Sequence, residues 1–460
     1  MGTPALALVG CGDGGDDSRG TGGYGSGAGI SITAGDSTGG GGSLGDGGTS
    51  DGSGGGSDSA GGDTQGASGG SGDDSTGGIK FDIGSNPDGG ALDCDEINGG
   101  QDMDLSYIWI ANTDVGTVSK IDTRSGVIEG RYRTANTIES PSRTTVNQFG
   151  DMLVGNRGDV ASVTAIASFE HRCVDKNQNG VIETSTGYDD VRAWGEDECV
   201  LWHASIPATY ELGPRGLAWE GGVVDPITCE NSVPNPRVWV AFDRADSYDA
   251  WRFNGQTGEV LDKVSIPGTS GRPYGGAVNR EGDFWFVIRG SQLVYINSET
   301  LSHQLFATPD VPYGMSIDAN GDPWFATYNA GAGDQIYRFD TQTMQFVSAG
   351  GGQGKHRGMM IDHHNRAWVI GNSPCRLILV DAENEALIDD NIPLPGCSDP
   401  VGVSIDIDDY VWVVDRGASK AYKIDPDTLA IEFTVEGLNH PYTYSDMTGS
   451  LLRLVADPLG

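Results

Sequence analysis

The strongest constraint on this chain is a unit that recurs along its C-terminal three quarters. Its clearest copy runs Pro312-Tyr-Gly-Met-Ser-Ile-Asp-Ala-Asn-Gly-Asp-Pro-Trp324, followed by Gln335-Ile-Tyr-Arg-Phe-Asp340 and Gln345-Phe-Val-Ser348. Comparable openings stand at Pro141, Pro214, Pro273, His356, Pro400 and Pro441, which makes seven. Trp239, Trp285, Trp368 and Trp412 mark the same second strand as Trp324, with Met152 read as the substitute in the copy that opens at Pro141. Repeats of roughly 40 to 50 residues signify a propeller or a solenoid. Each copy reads as four short strands, with turns rich in Asp, Asn, Gly and Pro at Asp122 to Gly126, Asn254 to Gly258 and Asp425 to Thr428.

The two ends of the repeat region are complementary fragments. Pro441 opens a copy that lacks a Trp strand, whereas Tyr107 to Tyr132 supplies second, third and fourth strands that lack a first. Pairing the C-terminal strand with the Trp109 strand closes a ring and removes exposed sheet edges. The predicted fold is therefore an all-β, seven-bladed β-propeller closed by its N- and C-terminal strands, with six or eight blades as alternatives.

Composition separates this unit from what precedes it. Of 73 glycines, many fall between Gly12 and Gly78, a stretch with few apolar side chains to offset the entropy of ordering. Residues 12–92 are read as a disordered tether and residues 93–460 as the propeller domain. Seven cysteines leave one over after pairing. Cys11 is the candidate for a separate role, because Leu8 to Cys11 resembles a bacterial lipobox, although no Lys or Arg precedes the short apolar run. Residues 1–11 are thus expected to be a lipoprotein signal with Cys11 lipidated, placing a monomeric chain in the cell envelope, held to a membrane by lipid. The remaining cysteines permit 15 disulfide pairings. Proximity favours Cys173 with Cys199 and Cys375 with Cys397, which leaves Cys94 and Cys229.

The net charge of -37 argues against nucleic acid as a partner and is compatible with divalent cations or simply with solubility. An insertion in the second unit, within 170–212, carries Asp175-Lys-Asn177-Gln-Asn179-Gly180-Val181-Ile182-Glu183. It looks like a calcium loop, with side-chain oxygens at Asp175, Asn177 and Asn179, the Val181 carbonyl and a turn glycine. Thr186 stands where a bidentate acid belongs, so Glu183, Asp189 or Asp190 must substitute. The alternative is a polar turn stapled by Cys173 and Cys199.

Residues that follow the openings should converge on one mouth of the central channel. They include Arg215, Tyr274, Tyr313, Arg357 and Tyr442, a set able to hold a carboxylate, a sugar or a peptide, or simply to cap the channel. His363-His364 occupies a hairpin turn and is expected to be exposed.

The repeat as a whole resembles the six- and seven-bladed propellers of the NHL, SMP-30 and streptogramin B lyase (virginiamycin B lyase) group over most of Leu105 to Val455. For the lyase, the resemblance implies a His after an opening Pro and a Glu after the Trp-led strand, beside magnesium. The residues three beyond each Trp are Asn112, Phe242, Ile288, Thr327, Gly371 and Asp415, so that pattern is not met. A lactone-hydrolase site expects several inward Glu, Asn and Asp ligands, for which only Asn112, Asn156 and Asp415 can be proposed. The leading expectation is a non-catalytic module binding an extracellular small molecule, glycan or protein. A metal-dependent lyase or lactone hydrolase and a structural envelope protein are the alternatives.

Overall fold

The computed structural model describes residues 104–208, 213–221, 236–244, 246–268, 271–328, 335–352 and 354–456. Cys11, Cys94 and Cys229, and the stretches read as signal and tether, lie outside them. The described chain forms seven antiparallel sheets in sequence order. Blade 1 holds β1 (Tyr107–Asn112), β2 (Thr117–Asp122) and β3 (Ile128–Arg133). Blade 2 holds β4 (Pro141–Val146), β5 (Met152–Asn156), β6 (Ser162–Ile166) and β7 (Val200–Ser205). Blade 3 follows with β8 (Gly216–Glu220), β9 (Arg237–Asp243), β10 (Ser247–Asn254) and β11 (Val260–Pro267). Blade 4 comprises β12 (Pro273–Val278), β13 (Phe284–Ile288), β14 (Gln292–Ile296) and β15 (His303–Ala307). Blade 5 comprises β16 (Pro312–Ile317), β17 (Pro323–Thr327), β18 (Ile336–Asp340) and β19 (Gln345–Ser348). Blade 6 is β20 (His356–Ile361), β21 (Arg366–Gly371), β22 (Arg376–Asp381) and β23 (Ala386–Pro393). Blade 7 is β24 (Pro400–Ile405), β25 (Val411–Asp415), β26 (Lys420–Ile424) and β27 (Ile431–Val435).

The ring closes at blade 1 as the sequence implies. Pro441 bridges Asn112, the Trp109 amide donates to the Met447 carbonyl at 2.9 Å, and the Ala111 amide donates to Thr443 Oγ1. This last segment is also tied to both neighbouring inner strands. Ser445 Oγ donates to the Thr144 carbonyl of blade 2, and Thr448 Oγ1 to the Ile405 carbonyl of blade 7. The apolar run that follows is not a strand. Ser450–Ala456 forms a short helix, α1, which buries Leu451, Leu452 and Val455 and packs against β12 and β16 across the ring. It covers the end of the channel opposite the repeat openings.

Repeat register explains the tryptophans. Except for Pro214, each opening residue pairs with the end of a second strand, as in Pro312 with Thr327 and Pro400 with Asp415. The Trp side chains are buried between blades, and Trp324, Trp368 and Trp412 donate through Nε1 to Asp318, Asp362 and Asp406, six residues earlier. In blade 2 the Trp register falls on Leu153, which pairs with Thr145 as Trp324 pairs with Ser316. Met152, the residue expected there, is one position early, because alternation of faces makes a one-residue offset point to the other side.

Neighbouring blades are joined by donors that reach the carbonyl just beyond the third strand of the next blade. Lys120 reaches Ser168 O at 2.7 Å, Trp202 reaches Gly255 O at 2.7 Å, Arg252 reaches Ser298 O at 2.8 Å, and Lys423 reaches Thr123 O at 2.8 Å. Lys120, Arg252 and Lys423 occupy one repeat position, two residues before the Asp or Asn that ends or follows the third strand.

Candidate functional site

The inner strands begin with an irregularity that shapes the channel. In five blades, opened by Pro141, Pro273, Pro312, His356 and Pro400, the register shifts just after the opening residue. The second residue after the opening is Gly in blades 3 to 7, and in blades 4 to 7 the adjacent inner strand approaches too closely for a Cβ. One built on Gly314 would lie 2.1 Å from the Arg357 carbonyl, and one on Gly358 would lie 2.8 Å from the Val401 carbonyl. In blade 2 that position is Arg143.

Tyrosines from separated blades meet across the ring. Tyr442 of the closing segment places its hydroxyl 2.8 Å from that of Tyr313 in blade 5 and 3.5 Å from that of Tyr274 in blade 4. Arg215 donates to the Tyr274 hydroxyl at 2.9 Å, and Arg357 pairs with Asp399 at 3.2 Å beside the Arg416–Asp399 ion pair. The structure therefore brings together Arg215, Tyr274, Tyr313, Arg357 and Tyr442. It packs them as a layer across the channel in which each is buried.

Sequence reasoning missed several members. Arg143 is completely buried, donates through Nε to the Arg215 carbonyl at 3.2 Å, and lays its guanidinium on the rings of Tyr444 and Tyr274. Burial holds that guanidinium well below its usual pKa. Arg157, Arg289, Tyr328 and Arg416 also join the layer. Arg157 and Arg416 lie 4.8 and 5.0 Å over Tyr442, and Arg289 lies 5.1 Å over Tyr328. The signal was present in the sequence. All four follow the final residue of a second strand, one position beyond the one compared with the lyase pattern, and Arg143 interrupts a column of glycines.

Asn112, Asn156 and Asp415 sit at equivalent second-strand ends but serve their own surroundings. Asn112 bonds Ser119 and the Asn439 amide, Asn156 bonds the Thr134 carbonyl and Ser162, and Asp415 accepts the amides of Ser398, Asp399 and Ala418. His356 is buried, and desolvation together with Arg376 pushes its imidazole down to about 4, so it is neutral at ordinary pH. His363 and His364 are exposed on their turn, as expected.

In the insertion, Cys173 bonds Cys199, and Cys375 bonds Cys397 in blade 6 and its following loop. Because β7 forms the fourth strand of blade 2, the inserted chain runs between β6 and β7. Its loop is organised by its own oxygens. Asp175 accepts the amides of Asn179 and Gly180, Asn177 Oδ1 accepts that of Asn179, and Asn179 Oδ1 accepts that of Val181. Glu183 accepts Asn177 Nδ2 at 2.6 Å, whereas Asp190 turns to Thr186. Of the three candidates for the missing acid, Glu183 is the one bonded within the oxygen set.

No family model matches this chain, and no curated protein matches it. Among solved structures, a protein from Lactobacillus plantarum is 11% identical, with 73% of this chain and 97% of that chain covered at a TM-score of 0.50. Virginiamycin B lyase from Staphylococcus aureus is 14% identical over 67% of this chain and 89% of that chain, with a TM-score of 0.48. A protein from Desulfotomaculum acetoxidans is 8% identical over 73% and 96%, with a TM-score of 0.49. At such identities the likeness concerns the β-propeller fold alone.

Proposed function

We propose that this chain is an extracytoplasmic binding module, lipid-anchored through Cys11, whose propeller takes an anionic small molecule at the opening end of its channel without transforming it. The observation that carries this reading is the arginine and tyrosine layer, set within a protein whose net charge is -37. Guanidinium groups stacked on rings are preorganised donors for a carboxylate, and concentrating them against the overall charge serves recognition of an anion rather than solubility. With α1 across the far end, the ligand enters from the openings. Binding is favoured over elimination or lactone hydrolysis because Asn112, Asn156 and Asp415 are each tied by hydrogen bonds to separate local partners, and His356 is buried and neutral.

Thermal melts of the full chain against a panel of organic anions and neutral isosteres test this. A saturable rise in Tm is expected for an anion and not for its neutral isostere. Arg357→Gln, which leaves Asp399 with Arg416, should weaken it about tenfold or more, as loss of a charge-assisted hydrogen bond does. Anion and isostere behaving alike, or Arg357→Gln leaving the response intact, would sink the proposal.

Calcium in the insertion loop is proposed as a structural ion held by Asp175, Asn177, Asn179, the Val181 carbonyl and Glu183. Support comes from oxygens already gathered around Gly180, whose φ of +83° suits the turn. A chelator is expected to lower Tm by a few degrees, and Asp175→Ala to remove that sensitivity. A melt indifferent to chelator would refute the ion.

A further inference from the structure

The clamp is absent between blades 4 and 5, and a cavity of about 310 Å³ stands there. In blade 4 the clamp position holds Tyr295 in place of Lys or Arg, and its hydroxyl turns back to Asp283 of the same blade at 2.7 Å. Among the described residues no donor from blade 4 reaches Thr341 O, the carbonyl of blade 5 equivalent to Ser168, Ser298 and Thr123. Lys120 and Lys423 hold Nζ 3.6 and 4.1 Å over the rings of Tyr107 and Tyr410. Arg338, at the same repeat position in blade 5, pairs instead with Asp322 and Glu385. The cavity offers the corresponding parts: the Thr341 residue, the carboxylates of Asp283 and Glu281, and the rings of Trp285, Tyr295 and Phe306. Asp283 is the repeat equivalent of Asp322.

We infer that this cavity binds a primary alkylammonium group supplied from outside the chain, which takes the place that Lys120 and Lys423 fill at their own interfaces. Carboxylates and aromatic faces together favour an organic cation through charge-assisted hydrogen bonding and cation–π attraction. The strongly negative net charge raises the local concentration of such a ligand. The site lies between two blades, apart from the channel layer, and does not depend on the anion reading.

Titration calorimetry of the full chain with 1,4-diaminobutane, n-butanol and the peptides Gly-Lys-Gly and Gly-Nle-Gly tests it. Saturable binding is expected for the diamine and not for butanol. Binding of Gly-Lys-Gly but not Gly-Nle-Gly points to a lysine side chain as the source, and binding of the diamine alone to a free amine. Tyr295→Lys, which supplies the missing cation from within, should abolish binding and raise Tm. Glu281→Gln, at an exposed position, should weaken binding about two- to fivefold, the range for a partly exposed charge pair. Absence of saturation by both the diamine and Gly-Lys-Gly overturns the inference. So does butanol matching the diamine, or amine binding unchanged in both variants.

Discussion

A chain ending at His440 should lose its cooperative unfolding transition altogether. The missing segment both lines the inner edge of blade 1 and covers the channel. Tyr442, Tyr444, Met447, Leu451, Leu452 and Val455 are all buried, and each contributes on the order of 1.5–3 kcal/mol by burial. Their combined loss is comparable with the whole stability of a domain, about 5–15 kcal/mol. Removal also strips β1 of the partner that accepts the Trp109 amide, and leaves the Thr144 and Ile405 carbonyls without Ser445 and Thr448. Circular dichroism melts and limited proteolysis check this. A truncated chain with a sharp transition would show that the ring does not need its closing strand.

Gly402→Ala should destabilise the ring by about 3 kcal/mol or more, the upper range for an insertion into packed structure. A Cβ at that position would lie 1.9 Å from the Thr443 carbonyl oxygen, which is backbone and has no rotamer to yield. Gly321→Ala is the informative comparison. Its Cβ would meet only Asn279 at 3.7 Å, although a φ of +84° imposes a left-handed conformation on alanine. That strain costs about 1–2 kcal/mol. Melting of the two variants should therefore rank Gly402→Ala as clearly worse. Equal losses would mean that the inner strands can separate to admit a methyl group.

The same column of glycines shows what was legible before the structure and what was not. The seven openings, the Trp strands and the complementary ends were local patterns, and periodicity is enough to convert such patterns into blades and a closed ring. The Cys173 and Cys375 pairings followed from short separations across one excursion each. By contrast, Leu451 to Val455 is a five-residue stretch with four apolar side chains around Arg453, too short for periodicity to assign to helix or strand. The channel layer was half legible. Residues following the openings converge because the repeat forces them to, but Arg143 and Arg157 meet tyrosines from blades far away in sequence, and no spacing encodes such a meeting. The clamps were written plainly, as Lys or Arg two residues before the acid or amide at the end of the third strand. Their meaning required knowing which carbonyl each one reaches. Tyr295 became informative only beside the Lys and Arg that hold this position in blades 1, 3 and 7.

Binding of an anionic ligand at the arginine and tyrosine layer, as proposed above, is open to direct observation. The most direct measurement is a crystal structure of the full chain soaked with the organic anion that raises Tm the most. Anion density is expected against Arg143, Arg215 and Arg357, with the Tyr442 hydroxyl drawn toward it. Density confined to another surface, with the layer unchanged, would contradict that proposal.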